Sequence, residues 1–510
     1  MKRKIIYLAL VAASFTALAG CKKSFLDVAP QGDLTEEQAL ADPNAANQLV
    51  AGVYNRLYLQ GTVGLRYLIL TDMASDNTDK GSTPGDGGFQ GGEIDNFTFT
   101  PNNENFNLVW GDHYKGIVAA NKALSILDQA TFDETTRKRL IGEARFLRGY
   151  FYFNLVRFFG GVPKLVRVPD ATELNNPEFK TRATKDEIYT VIKEDLQYGV
   201  DNLPLKGEGG TQVGRANKGA AQAMLAKVYL YLKDYQKAYD LSLAVMNSGK
   251  YDLAGNYANV FREVGVNNIE SIFEVQTGPN RTATGGCDGI NPNYSNWQGP
   301  RAKSAWTNTV DGKQYDGDLG FGLNSPSADL AAAYGAGDVR RAGSIIFIDP
   351  VNPVTLWDGF VIPNQAQVEN PRYNYKSYHS PFKETASCNG YLDKDNKPKN
   401  IRIMRFAEVL LINAEAATHT GGDALTPLTR VRTRAGVGAI AATEANIWEE
   451  RRLELALEGD RFLDLVRQGR AGTVLRAHGK PFVDGKHELF PIPQQQRDLS
   501  GGLLTQNPLY

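Results

Sequence analysis

Cys21 is the residue whose surroundings predict its chemistry most clearly. It ends the segment Leu18-Ala19-Gly20-Cys21, which follows an apolar run and a basic start at residues 2–4. This arrangement is typical of a secretory signal that ends in a lipobox, where cleavage precedes acylation of the cysteine sulfur. The apolar run is short for a ~30 Å hydrocarbon core, which needs about 20 residues. The sequence therefore predicts a signal peptide over residues 1–20 and lipid attachment at Cys21.

Acidic residues near the C-terminus could suggest a hydrolase, because glycosidases use a pair of carboxylates. The acids in question are Glu449, Glu450, Glu454, Glu458, Asp460 and Asp464. Arginines at 451, 452, 461 and 467 interleave with them, and ion pairs along a helix explain that pattern without catalysis. The five histidines have no metal-protease spacing, and no nucleophile triad is evident. We therefore predict that the protein is not an enzyme, with a glycoside hydrolase as the rival interpretation.

A glycine-rich segment at 81–92, GSTPGDGGFQGG, bears Phe89 and is predicted to be a flexible loop. It lacks the G-K-[ST] ending of a phosphate-binding loop. The neighbouring carboxylates Asp72, Asp76 and Asp79 could bind Ca²⁺, which prefers clustered oxygens, but no terminal bidentate Glu completes such a loop. We expect no cofactor, and Ca²⁺ only as a minor alternative.

The charge balance argues against a nucleic-acid partner. The formal charge is −1 over 510 residues, and removal of the signal takes three basic residues with it. No basic excess remains to match a phosphate backbone. Cys287 and Cys388 are the other cysteines, and an exported protein can join them, although their spacing does not establish that they meet.

Hydrophobic periodicity predicts helices on both sides of a loop-rich middle segment. Thr184, with Glu187 three residues later, predicts a capped helix start. Short alternating runs predict strands at 271–275 and 344–348. The helices are predicted at 45–59, 105–127, 136–159, 184–200, 218–232, 235–248, 402–418, 425–434 and 444–469.

Leu225, Ala226, Tyr229 and Ala238 lie at the spacing of a tetratricopeptide helix pair. The predicted fold is therefore mostly α, a tetratricopeptide-like helical-pair scaffold with a loop-rich insertion containing short strands. Its predicted parts are a leash at 21–44, an N-terminal scaffold at 45–250, a ligand-binding insertion at 251–400, and a C-terminal scaffold at 401–510.

Several segments in order resemble the RagB/SusD family of nutrient-uptake outer-membrane lipoproteins. These are CKKSFLD at 21–27, GEARFLRGYFYFNLVRFFGGVP at 142–163, GRANKGAAQAMLAKVYLYLKDYQKA at 214–238, MRFAEVLLINAEA at 404–416, LTRVRTRAG at 428–436, EERRLELALEGDRFLDLVRQG at 449–469, and LFPIPQQQ with QNPLY at the end. The similarity extends over essentially the whole chain after the signal.

The resemblance implies a lipid-anchored protein on the outer face of the outer membrane. It implies a SusC-type TonB-dependent β-barrel transporter as partner, and an oligosaccharide or polysaccharide ligand that is captured and passed on. A peptide ligand is the alternative within the family, and a scaffold that binds only the barrel is a further one.

In this family ligand contacts come from the region after residue 66 and from the insertion. A saccharide site needs flat aromatic rings and polar groups for hydroxyls. Asp76, Asn77 and Phe89 are the predicted contacts in the first region. Those in the insertion are Tyr294, Trp297, Trp306, Tyr315 and Trp357, from a set that also holds Phe321, Tyr373, Tyr375 and Tyr378. For Asp76 and Asn77, capping of a turn is the alternative, and for each aromatic it is ordinary packing under a loop.

Overall fold

A computed structural model describes most of the chain after the predicted signal. The described residues are 35–86, 90–173, 175–210, 212–278, 293–310, 312–390 and 394–510. Cys21, Phe89 and Cys287 lie outside them. Cys388 is buried and disulfide-bonded, and both other cysteines lie outside the described residues.

Within the described ranges the chain forms eighteen α-helices and ten short strands, so the predicted mostly α fold is confirmed. Nine helices precede the insertion. They are α1 (Glu36–Ala41), α2 (Pro43–Tyr54), α3 (Leu65–Leu68, continued by a π turn at Ile69–Met73), α4 (Gly91–Asp95), α5 (Glu104–Leu127), α6 (Glu134–Phe159), α7 (Lys185–Asn202), α8 (Lys218–Tyr231) and α9 (Tyr235–Met246).

Helix α1 lies within the segment that the sequence analysis predicts to be a polar leash. Thr35 and Gln38 form a reciprocal capping box at its start, and Asp42 then caps α2, in which Pro43 is the first residue. These local hydrogen bonds satisfy free backbone N–H groups, so helices form although few apolar residues are present. The cap that Thr184 and Glu187 are predicted to form on α7 is confirmed.

Antiparallel neighbours build the scaffold. Helix α6 packs against α5 and α7, and α8 packs against α9. Gly116 allows α5 and α6 to approach closely, because a Cβ there would lie 2.4 Å from the ring of Phe151. Ala226 of α8 and Ala238 of α9 share an apolar cluster with Ala416 from the C-terminal part. The predicted helix pair is thus completed by a helix about 170 residues further along the chain.

The insertion consists of short elements held by two-stranded antiparallel pairs. Its helices are α10 (Tyr294–Gln298), α11 (Ala328–Ala333) and α12 (Val339–Ser344). The strands of the whole chain are β1 (Thr78–Gly81), β2 (Ser271–Val275), β3 (Thr307–Val310), β4 (Lys313–Asp316), β5 (Leu323–Pro326), β6 (Ile345–Phe347), β7 (Val354–Thr355), β8 (Val361–Ile362), β9 (Arg372–Asn374) and β10 (Ile401–Arg405). The insertion has an apolar cluster of its own around Phe360 and Tyr373.

The C-terminal part corrects two predicted helices. Residues 401–405 form β10, paired with β2, and helix begins only at residue 406. The predicted helix over 444–469 is divided in two, because Leu457 and Gly459 adopt positive φ. The helices are α13 (Phe406–Thr420), α14 (Leu425–Arg434), α15 (Glu444–Glu454), α16 (Arg461–Arg467), α17 (Ala471–Ala477) and α18 (Gln494–Leu499). No helix among the described residues is long and apolar enough to cross a membrane.

Candidate functional site

Pairing of β1 with β5 brings together the two regions from which ligand contacts are predicted. Thr78 lies opposite Pro326, and Gly81 opposite Leu323. Gly81 has φ +68°, and a Cβ there would lie 2.5 Å from the carbonyl oxygen of Gly322. Only glycine fits this close crossing without strain. The start of the glycine-rich segment is therefore fixed against the insertion.

Trp297 and Phe321 form an aromatic pair next to this crossing. Their ring centroids are 5.1 Å apart with an interplanar angle of 34°, and both rings are half-buried. The indole Nε1 of Trp297 donates to Oε1 of Gln60 at 3.2 Å, which fixes the ring orientation. The pair thus presents a partly exposed apolar surface with a defined geometry.

Charged groups surround this pair. The guanidinium carbon of Arg301 lies 5.4 Å, and Nζ of Lys394 lies 5.7 Å, from the centroid of Phe321. Arg301 pairs with Asp86 at 3.1 Å, and Lys394 pairs with Asp318 at 2.6 Å. We call these six residues, Trp297, Phe321, Arg301, Lys394, Asp86 and Asp318, the Trp297 patch. An apolar ring face bordered by donors and acceptors can bind the C–H face and the hydroxyls of a sugar.

Asp76 and Asn77 lie in the interior, away from solvent. The carboxylate of Asp76 accepts from Arg461 Nε at 2.7 Å and Nη2 at 2.9 Å, and Arg452 lies 3.0 Å away. Burial alone would raise the pKa of Asp76, but the hydrogen bonds and charges of these arginines lower it to about 2. Asn77 accepts from Arg452 Nε at 2.9 Å. Both side chains serve the fold, so the geometry favours Trp297 over them as a ligand contact.

Two of the predicted aromatic contacts are buried. Tyr294 is buried, and its hydroxyl donates to the carbonyl of Leu457 at 3.4 Å. Tyr315 is also buried and lies 5.0 Å from Phe382, so ordinary packing accounts for both tyrosines. Trp306 lies 5.5 Å from Phe360 and is half-buried.

Trp357 is the most exposed of the predicted contacts that the structure describes, with 44% of its surface in solvent. It borders an open cleft of about 520 Å³ whose lining includes no side chain of the Trp297 patch. Among the predicted contacts that the structure describes, Trp297, Trp306 and Trp357 combine a flat ring with access to solvent, and of these Trp297 has charged groups around its ring pair.

The C-terminal carboxylates form ion pairs, but mostly not along one helix as predicted. Glu454 contacts Arg340, Arg405 and Arg434, which lie on other elements. Burial would raise the pKa of Glu454, and the three guanidinium charges lower it far more, to below its usual range. Asp464 pairs with Arg451 across two helices as well as with Arg467 within α16. These pairs hold separate elements together.

Glu143 and Arg148, both on α6, have separate partners. Glu143 pairs with Arg139 and with Arg215, whereas Arg148 binds Asp195 at 2.7 Å. Within the described ranges no group of three or more His, Cys, Asp or Glu side chains is arranged to hold a metal ion. The Ca²⁺ alternative stays a prediction.

Sequence reasoning missed the charged members of the Trp297 patch. Arg301 follows Trp297 by four residues, a local signal that could have been noticed. Asp86, Asp318 and Lys394 lie far apart in the chain, and no sequence signal joins them to the ring pair.

Comparison with known proteins identifies relatives for nearly the whole chain. A family profile described as "Starch-binding associating with outer membrane" matches residues 24–230, and the profile of the SusD family matches residues 270–510. A SusD-like protein of Bacteroides ovatus is 26% identical, over 91% of this chain and 82% of that protein. SusD-like protein P2 of Formosa agariphila is 26% identical over all of both chains.

Solved structures match as well. A laminarin-binding SusD-like protein has a TM-score of 0.76 and 28% identity, over 92% of this chain and 99% of its own. Surface glycan-binding protein A from Bacteroides fluxus has a TM-score of 0.74 and 25% identity, over 92% of this chain and 100% of its own. The fold is therefore that of SusD-like proteins.

Proposed function

This chain belongs to the SusD family, and we propose that it binds a glycan at the Trp297 patch and breaks no bond in it. Family membership by itself leaves the ligand and the contact residues open. The proposal therefore adds a ligand class and a position on the surface.

The observation that carries the proposal is the half-buried Trp297–Phe321 pair with charged groups at its edge. An exposed aromatic face is the feature that a sugar ring needs and that a fully packed core residue lacks. Arg301 supplies N–H donors, and Asp86 and Asp318 supply acceptors, for hydroxyl groups. The laminarin-binding relative favours laminarin as the first glycan to test.

The cellular setting is part of the same proposal. Acylation of Cys21 would tether the protein to the outer membrane. A SusC-type TonB-dependent barrel, the partner that the family implies, would receive the glycan. The description of the matching profile, which places that family at the outer membrane, supports this arrangement. A stable tether needs more than one acyl chain, because one chain alone binds a bilayer only marginally.

A binding experiment tests the ligand and the patch together. The soluble chain starting at Lys22 is titrated with laminarin, starch, other polysaccharides and peptides, by affinity electrophoresis and calorimetry. We expect binding to one glycan class, no product on prolonged incubation, and a loss of about tenfold or more in affinity for Trp297→Ala, corresponding to about 1.4 kcal/mol.

Trp448→Ala is the matched control. Trp448 is also half-buried and also has an arginine over its ring, Arg470 at 5.6 Å, but it lies on α15 in the C-terminal scaffold. We expect unchanged glycan affinity for this variant. Binding of peptides alone, or release of sugar products, would contradict the proposal.

A further inference from the structure

A second surface on the insertion has the features of a ligand subsite. Trp357 lies in the tight turn between β7 and β8, where Leu356 N donates to Phe360 O at 2.8 Å. The backbone N of Trp357 donates to the hydroxyl of Tyr375 at 2.9 Å. Beneath it, the hydroxyl of Tyr378 donates to the buried carboxylate of Asp358 at 2.6 Å. The exposed indole is thus held on a rigid turn, so little conformational entropy is lost when it binds a ligand.

Arg262 supports the inner side of this indole. Its guanidinium carbon lies 5.2 Å from the centroid of Trp357 and 4.2 Å from that of Tyr375. Only 5% of the residue is exposed, and its Nη1 donates to the carbonyl of Tyr375 at 3.1 Å. No carboxylate of the described residues forms an ion pair with it. A guanidinium has five N–H donors, so Arg262 retains donors for a further acceptor.

The walls of the adjoining cleft are fixed by hydrogen bonds. Glu384 accepts from the backbone N of Glu263 at 2.7 Å and of Ser380 at 2.8 Å. Glu263 accepts in turn from the backbone N of Thr385 at 2.6 Å. The cleft of about 520 Å³ is therefore preformed, and it is large enough for a sugar residue.

We propose that Trp357, with Arg262 beneath it, is a second saccharide subsite. It rests on the proposed function, because it would bind another part of the same glycan chain as the Trp297 patch. A sugar residue packs against the exposed indole at the edge of the cleft, and hydroxyls that enter the cleft accept from the guanidinium of Arg262, which lines it. Single exposed apolar residues are common on protein surfaces. Here the ring also lies on a fixed turn, over a cation without a carboxylate partner, at the edge of a preformed cleft.

Two subsites on one protein should bind a polymer more tightly than a short oligosaccharide. When one site holds a polymer, the second binding event becomes intramolecular, and the overall affinity exceeds that of either site. A short oligosaccharide gains nothing from this effect, and instead fills the two sites independently.

The test is calorimetry with four proteins: the wild type, Trp297→Ala, Trp357→Ala and the double variant. The probes are laminarin and starch, with laminarihexaose and maltohexaose as their short counterparts. We expect two hexasaccharides per wild-type chain and one per single variant. Polymer affinity should fall about tenfold or more for each single variant, and binding should be lost in the double variant.

Two further variants separate binding from structural damage. Trp357→Phe keeps a ring on the turn and should restore most of the polymer affinity. Val351→Ala removes another exposed apolar side chain of the insertion, 73% exposed, and should have no effect. Unchanged stoichiometry and polymer affinity in Trp357→Ala would overturn the subsite but leave the Trp297 patch intact. Loss of binding in Trp357→Ala but not in Trp297→Ala would support the subsite and refute the patch. No binding of any probe by the wild type would overturn both.

Discussion

Side chains of the same residue type have different roles in this protein, as its tryptophans and aspartates show. Trp297 and Trp357 keep ring surface in solvent, whereas Trp110 is buried, with its ring 5.2 Å from that of Phe159. The same holds for the aspartates that precede the glycine-rich segment. Asp76 is fully paired with arginines, while the nearby Asp72 is buried with one carboxylate oxygen lacking a hydrogen-bond partner. The environment of a residue therefore decides its role.

Asp72 leads to a prediction on pH dependence. Burial raises its pKa from 3.8 to about 7, although a weak hydrogen bond from Asn324 opposes the shift. The protonated carboxyl therefore stabilises the fold at low pH, and this contribution is lost as the pH rises from about 4 through about 7. Since Asn cannot ionise, Asp72→Asn should gain about 2–4 kcal/mol in free energy of unfolding relative to the wild type between pH 4 and pH 8.

Urea denaturation at a series of pH values measures this difference. Asp201→Asn, at an exposed position on α7, is expected to follow the wild-type profile. A constant difference between Asp72→Asn and the wild type over the whole pH range would refute the buried, uncharged carboxyl.

Secondary structure departs from the predicted helices where distant segments of the chain contact each other. The break between α15 and α16 has Leu457 at φ +66° and Gly459 at φ +89°. This non-helical segment lets Glu458 contact Arg405 and Lys376, while Asp460 contacts Lys227 and Arg157. A continuous helix would have kept these acids on its own surface, so the break allows one segment to join several elements.

Gly459→Ala tests this break. The substituted Cβ would lie 3.0 Å from the ring of Tyr67, at a backbone conformation that L-residues rarely adopt. We expect a loss of about 1–3 kcal/mol in the free energy of unfolding, measured by chemical denaturation. Gly111→Ala, in the middle of α5 with no atom within 4 Å of the new Cβ, should instead gain about 0.5–1 kcal/mol. Equal effects of the two substitutions would contradict the assignment.

Across the whole molecule, a buried ion network joins the insertion to the helical scaffold. Glu454 on α15 contacts Arg340 of the insertion, Arg405 at the end of β10, and Arg434 on α14. All four side chains are almost completely buried. Burying charges is unfavourable unless each one is paired, so the network favours the one arrangement in which every partner is present.

Removing the central charge should therefore destabilise the whole protein. We expect Glu454→Gln to lower the free energy of unfolding by about 3–5 kcal/mol, because three guanidinium groups lose their shared carboxylate. Added salt should not change this loss, since the site is inaccessible to ions. Glu449→Gln, whose carboxylate is 47% exposed beside Arg470, should change stability by less than about 0.5 kcal/mol. A similarly small effect at Glu454 would show that the network is not needed for stability.

Part of the candidate site could be predicted from the amino-acid sequence. The sequence identified Trp297, Trp306 and Trp357 as aromatic residues of the insertion, and all three keep some access to solvent in the described structure. The sequence could not separate them from the buried Tyr294 and Tyr315, because burial depends on residues such as Leu457 and Phe382 that lie far away in the chain. The charged members of the Trp297 patch come from three separate segments for the same reason.

The helical scaffold could be predicted from the amino-acid sequence, because periodicity and caps act within a few residues. Helix α14 has the predicted bounds, Thr184 caps α7, and β2 lies where alternation predicts a strand. Three features depend instead on tertiary contacts: the strand at residues 401–405, the break in the helix after α15, and the binding of Asp76 to arginines. These outcomes depend on burial and on charges brought together from distant segments, and a local pattern contains neither.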